Sequence, residues 1–423
     1  MINPRDGYGY FVSRNKVYRV DSVFGETLLG TINTLEGPIS MAHNGSQVMF
    51  VDGTDGWIIT MSSGALAEIS DGEFTTAPKT VIFIDGYFAV NVGGTGQWQI
   101  SSLNDGTAWD ATDVTTAESS PDDLRALFED HGEVCAMGDT SIDVYRNTGN
   151  ADFPFERVQA LEAGLAAAFS VAKIDNRLMW LGRDEHGEGM VWVANGYNPQ
   201  RVSTHAIERA IASYGVIEDA IAFTYQQEGH SFYQLTFPTG NATWVYDVAS
   251  SAALGYPVWH ERAYRNPGTA SNERHRANCH MHFFGRHVIG DYQNGKLYSL
   301  NLDAYDDAGN PRRWVRVWRA LSERDQDPLK TLCIHKLQLD GEVGIGLATG
   351  QGSDPQVMLR VSEDGGHTWS SEIWAGLGAA GEYGTRVLFE QLGEGQDLVF
   401  ELSGSDPVPV AWTGAYMEAS YSR

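Results

Sequence analysis

The sequence predicts an all-β protein: a β-propeller of six blades, with seven also compatible, followed by a C-terminal antiparallel β domain. Three observations lead there. Hairpin-like segments of polar and apolar residues recur as far as residue 303. Their central strands begin near residues 46, 86, 132, 176, 229 and 285, a spacing of roughly 40–55 residues that matches the period of propeller blades. The 423 residues include 47 Gly, 12 Trp and 18 Tyr, a composition that favours short strands and many turns.

The segments follow in order. "YGYFVSRNKVYRV" (residues 8–20) alternates around a turn at 13–15. "SQVMFVDGTDGWIITM" (46–61) is two apolar runs joined by a Gly/Asp turn, a hairpin signature. The same grammar returns in "TVIFIDGYFAV" from residue 80, "HGEVCAMGDTSIDVY" from 131 and "IDNRLMWLGRDEHGEGMVWVA" from 174. It appears again in "EGHSFYQLTFPTGNATWVYDV" from 228 and "FGRHVIGDYQNGKLYSLNL" from 284. Helix is scarce. Residues 161–173 have helix propensity but also fit an inner strand. Residues 203–215 predict a short helix, with Thr204 as N-cap, Ile207 and Ile211 on one face and Gly215 at its end. A basic, Pro-containing break falls at 310–330, and long alternating strands follow it. The expected organisation is a propeller over 1–303, a connecting segment over 304–330 and a sandwich-like domain over 331–423.

Charge narrows the function. Acidic residues number 55 against 29 basic, a net charge of −26, which disfavours a surface that grips nucleic acid. An acidic wall would instead repel phosphate and let DNA slide past. The three cysteines, Cys135, Cys279 and Cys333, form no CxxC, so a disulfide framework is not expected and a reducing cytoplasm suits folding. The opening residues lack a secretion signal and no apolar run reaches membrane-spanning length, so no membrane segment is expected.

"SEDGGHTW" has the form S-x-D-x-G-x-T-W, similar to the Asp-box turn of sialidases and other propeller proteins. Its residues are Ser362, Asp364, Gly366, Thr368 and Trp369. They predict a structural hairpin turn, with Trp369 packed beneath it. A weaker echo places Ser102, Asn104, Gly106 and Trp109 in a second turn. No catalytic residue is expected. A glycosidase needs two carboxyl groups facing one sugar, and no pair stands out. A sialidase needs converging arginines, yet nothing in the spacing of Arg177, Arg183, Arg201 and Arg209 clusters them.

"ERHRANCHMHFFGRH" gathers His275, Cys279, His280, His282 and His287. On a strand His280 and His282 share a face, a spacing that can chelate zinc. The alternative is a strand with Cys279, Met281 and Phe283 inward and histidines outward, and no metal is the expectation. "DGTDG" (52–56) and "NLDAYDDAGN" (301–310) resemble calcium loops without completing the ligand spacing. No phosphate loop, nucleophile elbow or zinc-protease motif is present, so no cofactor is expected. Arg312, Arg313, Arg316 and Arg319 form the one local basic segment, read either as packed arginines or as a contact stripe for an acidic neighbouring subunit.

Three stretches carry a family resemblance. Residues 117–149, with Ala117, Glu118, Pro121, Asp122, Gly138 and the "SIDVY" strand, resemble the tail stabilisation proteins of short-tailed phages, also called packaged-DNA stabilisation proteins and similar to tail nozzle proteins. Residues 169–211 are a second match. "QVMLRVSEDGGHTWS", "YGTRVLFEQLG" and "VAWTGAYMEA" form a third. The resemblance implies a propeller that assembles as a ring, usually of six copies, beneath the portal and adaptor. There it would seal or gate the DNA channel and give a platform for needle, fibres or tailspikes. It places the protein in the virion tail, assembled in the host cytoplasm. One departure is that family members usually carry more chain before the first blade, which puts ring closure by the termini in question. A glycan-binding or sialidase-like propeller at the tail tip is the alternative.

Overall fold

The computed structural model describes residues 1–117, 119–120, 122–184, 187–319 and 330–422. Glu118 and Pro121, quoted above, and residues 320–329 of the expected connecting segment lie outside the described residues. The chain divides into two compact units, residues 1–263 with 273–300, and residues 264–272 with 301–423.

The first unit holds seven successive antiparallel sheets among the described residues. They are blades 1 (residues 9–31), 2 (40–68), 3 (81–116), 4 (124–161), 5 (164–201), 6 (221–261) and 7 (277–300). Seven, the second of the two counts the sequence allowed, is the number found. Blades 1 and 7 are three-stranded, which shortens their sequence signal.

The middle strands explain the patterning. Successive side chains of a strand point to opposite faces, and here both faces are covered by neighbouring blades. In Gln47–Val51, Val48 and Phe50 pack with Val17 of blade 1, while Met49 and Val51 pack with Phe88 of blade 3. In Arg177–Asp184, Leu178 and Trp180 face blade 4, whereas Met179 and Leu181 face blade 6. Hence "QVMFV" and "RLMWL" read as continuous apolar runs. The set closes on itself: Phe11 and Val20 of blade 1 pack with Met281 and Phe283 of blade 7. Ile2 exchanges two backbone hydrogen bonds with Tyr10, of 3.0 and 2.9 Å.

Turns fix the register. Five first-to-second hairpins carry two residues at positive φ: Asp85–Gly86, His131–Gly132, Asp175–Asn176, Glu228–Gly229 and Phe284–Gly285. That geometry matches the twist of paired strands. First strands of neighbouring blades are also tied: Val81 N donates to Ser40 Oγ at 3.0 Å, and Leu127 N to Thr80 Oγ1 at 2.8 Å.

Among the described residues, two helices interrupt the sheets. His205–Ala212 is the expected short helix, with Thr204 Oγ1 accepting from Ile207 N at 3.4 Å and Ile207 and Ile211 buried, but Ser213 and not Gly215 caps its end. Residues 161–173 are not helical: they hold the end of Phe155–Leu161, Gly164–Leu165 and Ala172–Ile174. Ala166 N donates to Leu181 O at 2.9 Å, so pairing with blade 5 overrides the local propensity. Val248–Leu254 is a helix the sequence reading missed, capped by Asp247 and ended by Gly255 in the left-handed region.

The second unit is a sandwich. One sheet has the order Trp314–Arg319, Val399–Gly404, Gln356–Ser362, Ile373–Gly376. In the other, Thr331–Gly341 pairs with Val387–Glu390, Glu394–Gly395 and Trp412–Ser422. Leu337, Leu339 and Phe389 meet Val357, Leu359, Phe400 and Leu402 in one core. Trp314–Arg319, read above within a connecting segment, is an edge strand of this sandwich, with Trp314 and Trp318 packed on its core.

Candidate functional site

Asp364 is occupied by its own turn. Its Oδ1 accepts from Ser362 Oγ at 2.7 Å, Thr368 N at 2.8 Å and His367 N at 2.9 Å, and Oδ2 from Thr368 Oγ1 at 2.6 Å. These donors, led by Thr368, hold its carboxyl well below the usual carboxylate range. Ser362 is buried, and its Oγ also accepts from Gly366 N at 2.8 Å. Trp369 is half-buried and stands outside the core cluster. The Arg360 guanidinium lies 5.2 Å from its ring centroid, a cation–π contact.

The second turn works differently from its Asp-box reading. Asn104 is in the left-handed region at φ 59°, and Ser102 is exposed. The carboxylate that organises the turn is the neighbouring Asp105. Its Oδ1 accepts from Thr107 N and Oγ1 at 3.0 and 2.7 Å and from Gln47 Nε2 of blade 2 at 3.2 Å. Gly106 N donates to Gln47 Oε1 at 2.9 Å, and Trp109 is buried against Phe74 at 4.8 Å. The available signal was D-x-T, an aspartate bonding the residue two positions on.

The arginines do not converge. Arg183 bonds Glu218 at 3.1 Å, Arg201 pairs with Glu208, Arg209 is exposed on its helix, and Arg177 lines a cleft between blades 4 and 5. In the basic segment, Arg313 and Arg360 share Glu401 Oε1 at 3.3 and 2.6 Å. Arg312 and Arg316 are exposed, Arg316 donating to Val315 O at 3.2 Å. The side chain of Arg319 lies outside the described residues.

His280, His282 and His287 line a cavity of about 400 Å³ with Lys173, Asp175 and Gln226, at blades 5 to 7. His280 Nε2 and His287 Nδ1 are 3.1 Å apart, and His280 stacks on Phe223 of blade 6 at 5.5 Å. Met281 and Phe283 face blade 1, and on the opposite face His280 turns toward Phe223 of blade 6 while His282 is exposed. Burial, then His287 and His282, push His280 down to about 4. His275 is driven down to about 3 by burial and by Arg262 and Arg276, and its Nδ1 accepts from Ala277 N at 3.2 Å. Among the described residues no three His, Cys, Asp or Glu side chains gather as a metal site. Both calcium-like loops use their oxygens internally. Asp52 accepts from Thr54 N, Asp55 N and Trp57 Nε1 at 3.0, 2.7 and 3.2 Å. Asn301 accepts from Asp303 N at 3.0 Å and Asp306 from Gly309 N at 3.1 Å.

Residues 1–305 match the family described as bacteriophage P22 Gp10, beta-propeller. The chain belongs to the bacteriophage P22 Gp10 family. Residues 313–420 match the second Gp10 family, beta-sandwich, so each unit has its own counterpart. Gp10-family membership makes the chain a structural bacteriophage tail protein, in agreement with the resemblance read from residues 117–149, 169–211 and the C-terminal strands. No curated protein sequence matches it. Among solved structures, an exo-β-1,3-galactanase from Phanerochaete chrysosporium with galactose is similar at 10% identity and TM-score 0.33, over 91% of this chain and 97% of that one. A mitotic checkpoint complex chain is similar at 11% identity and TM-score 0.40, over 60% of this chain and 72% of that one. No helix among the described residues is long and apolar enough to cross a membrane.

Proposed function

We propose that copies of this Gp10-family chain assemble as a ring, a hexamer in the virion, beneath the portal and adaptor. The ring stabilises packaged DNA, forms the channel for its ejection and carries the needle, fibres or tailspikes. The observation that carries this reading is the match of both units to the two Gp10 families. Net charge supports it: at −26 the chain repels phosphate, so DNA passes without sequence-specific binding.

The role is mechanical and not enzymatic. Asp364 has its oxygens occupied by four donors, and Arg183 and Arg201 are each committed to a glutamate. The edge strand Trp314–Arg319 pairs, among the described residues, with Val399–Gly404 alone. Arg316 on this strand and Arg312 just before it are exposed, which supports a contact with an acidic neighbouring copy. Assembly takes place in the host cytoplasm and the product resides in the virion tail. Negative-stain microscopy of the purified chain mixed with its portal–adaptor complex tests the reading. A six-fold ring capping the complex is expected; a chain that stays monomeric beside an uncapped adaptor contradicts it.

A further inference from the structure

The spaces between blades are filled unequally. Between blades 3 and 4, Trp98 meets Tyr145, Phe153 and Phe155 at centroid distances of 5.3, 5.3 and 5.6 Å. Between blades 4 and 5, the cluster around Trp180 includes small side chains such as Ala126, Cys135 and Ala163. A cavity of about 480 Å³ lies there, within the range of small-molecule sites. Met137, Val144, Leu178 and Trp180 give it an apolar lining.

Among the described residues, an indole N–H and a guanidinium of this lining are without a partner. Trp180 is 1% exposed, and its indole N–H has no acceptor in the protein, although buried donors are nearly always paired. Arg177 also lines the cavity, and no carboxylate among the described residues pairs with it. Several of the other polar groups there are engaged. Glu133 accepts from Arg146 at 2.5 Å and Tyr197 at 2.8 Å, His131 bonds Asn176 at 2.7 Å, and the Asp130 carboxylate lies 3.3 Å from the Lys173 ammonium. Trp180 thus holds a donor on an apolar wall, and Arg177 is a cation with no carboxylate paired to it among the described residues.

We propose that the cleft between blades 4 and 5 binds a small aromatic anion. The planar body lies against Met137, Val144 and Leu178, an acceptor atom meets Trp180 Nε1–H, and the anionic group pairs with Arg177. A planar ring suits the apolar lining that Met137, Val144 and Leu178 provide. An anion suits it because guanidinium recognises carboxylate and sulfonate geometry with two parallel hydrogen bonds. The proposal does not rest on ring assembly, so its failure leaves the tail reading intact.

The test is calorimetric titration of the intact chain with 8-anilinonaphthalene-1-sulfonate. One site per chain is expected, weakened at least tenfold in Arg177→Gln and by loss of the sulfonate in N-phenyl-1-naphthylamine. Arg209→Gln, on an exposed helix position, binds as the parent does. In a nitrogen–proton correlation spectrum one indole signal shifts on titration, and that signal is the one missing from Trp180→Phe. Several equivalent weak sites, equal binding by the Arg177 and Arg209 variants, or an unmoved Trp180 signal each overturns the proposal.

Discussion

In the propeller, Gln47–Val51 divides its side chains between two cores, one shared with blade 1 and one with blade 3. In the sandwich, Gln356–Ser362 sends Val357, Leu359 and Val361 into a single core, while Arg360 turns away to Glu401. The same period-2 geometry thus produces two energetic plans. Propeller stability is spread over a closed series of interblade clusters. Sandwich stability is concentrated in one, so damage is local in the first unit and general in the second.

The largest effect tests that contrast. Phe400→Ala removes a ring that is 1% exposed in the sandwich core, at a cost of about 3–5 kcal/mol. Hydrogen exchange is expected to accelerate across all the sandwich strands. Phe88→Ala, at a side chain fully buried between blades 2 and 3, is expected to accelerate exchange in those two blades alone. A uniform rise over all seven blades would break the comparison.

Acid sharpens it next. His275 and His280 belong to the propeller, and burial lowers both. The unfolded chain takes up protons near the ordinary histidine value of about 6.5, where the native one does not. Stability is therefore fully present above that value and falls as pH drops toward the native values of about 3 and 4. Between about pH 6.5 and 5 each group removes roughly 2 kcal/mol, at about 1.4 kcal/mol per unit. Denaturant titrations of parent and His280→Gln read this directly; equal pH slopes would contradict it.

How much of this was legible in the sequence depends on how far apart the contacting residues lie. Hairpins such as "VIFIDGYFAV" announced themselves, because the turn and its two strands are local and Asp85–Gly86 is a strong turn pair. The helix His205–Ala212 was legible for the same reason, through Thr204 and the Ile207–Ile211 face. Blade count was not, since closure joins Phe11 to Met281 across nearly the whole first unit. Nor was the partner of Trp314–Arg319, which pairs with strand Val399–Gly404. In the second turn the working carboxylate was missed, because Asp105 adjoins the Asn104 that fits the Asp-box alignment. A further signal went unread: Asp21, Asp52 and Asp291 stand at the ends of second strands, each accepting a backbone N–H of the following turn.

Smaller effects probe the turns themselves. Gly229 sits at φ 80° with open space around its Cα, so Gly229→Ala costs about 1 kcal/mol from backbone strain alone. A chemical melt of the propeller unit checks it. Asp364→Ala removes four local hydrogen bonds from an exposed turn. It is expected to lower the sandwich melting temperature slightly and to leave activity on a glycan panel unchanged from the parent's background. Loss of a measurable hydrolase activity would return the Asp-box to the glycosidase reading.

As a Gp10-family member the chain is a structural bacteriophage tail protein, and its proposed place is in a ring. Cryo-electron microscopy of purified virions tests it most directly. The predicted result is density for the propeller and the sandwich in a six-fold ring between the adaptor and the tail tip, with DNA or an open channel on its axis. Virions with a complete tail in which neither unit can be fitted would contradict it.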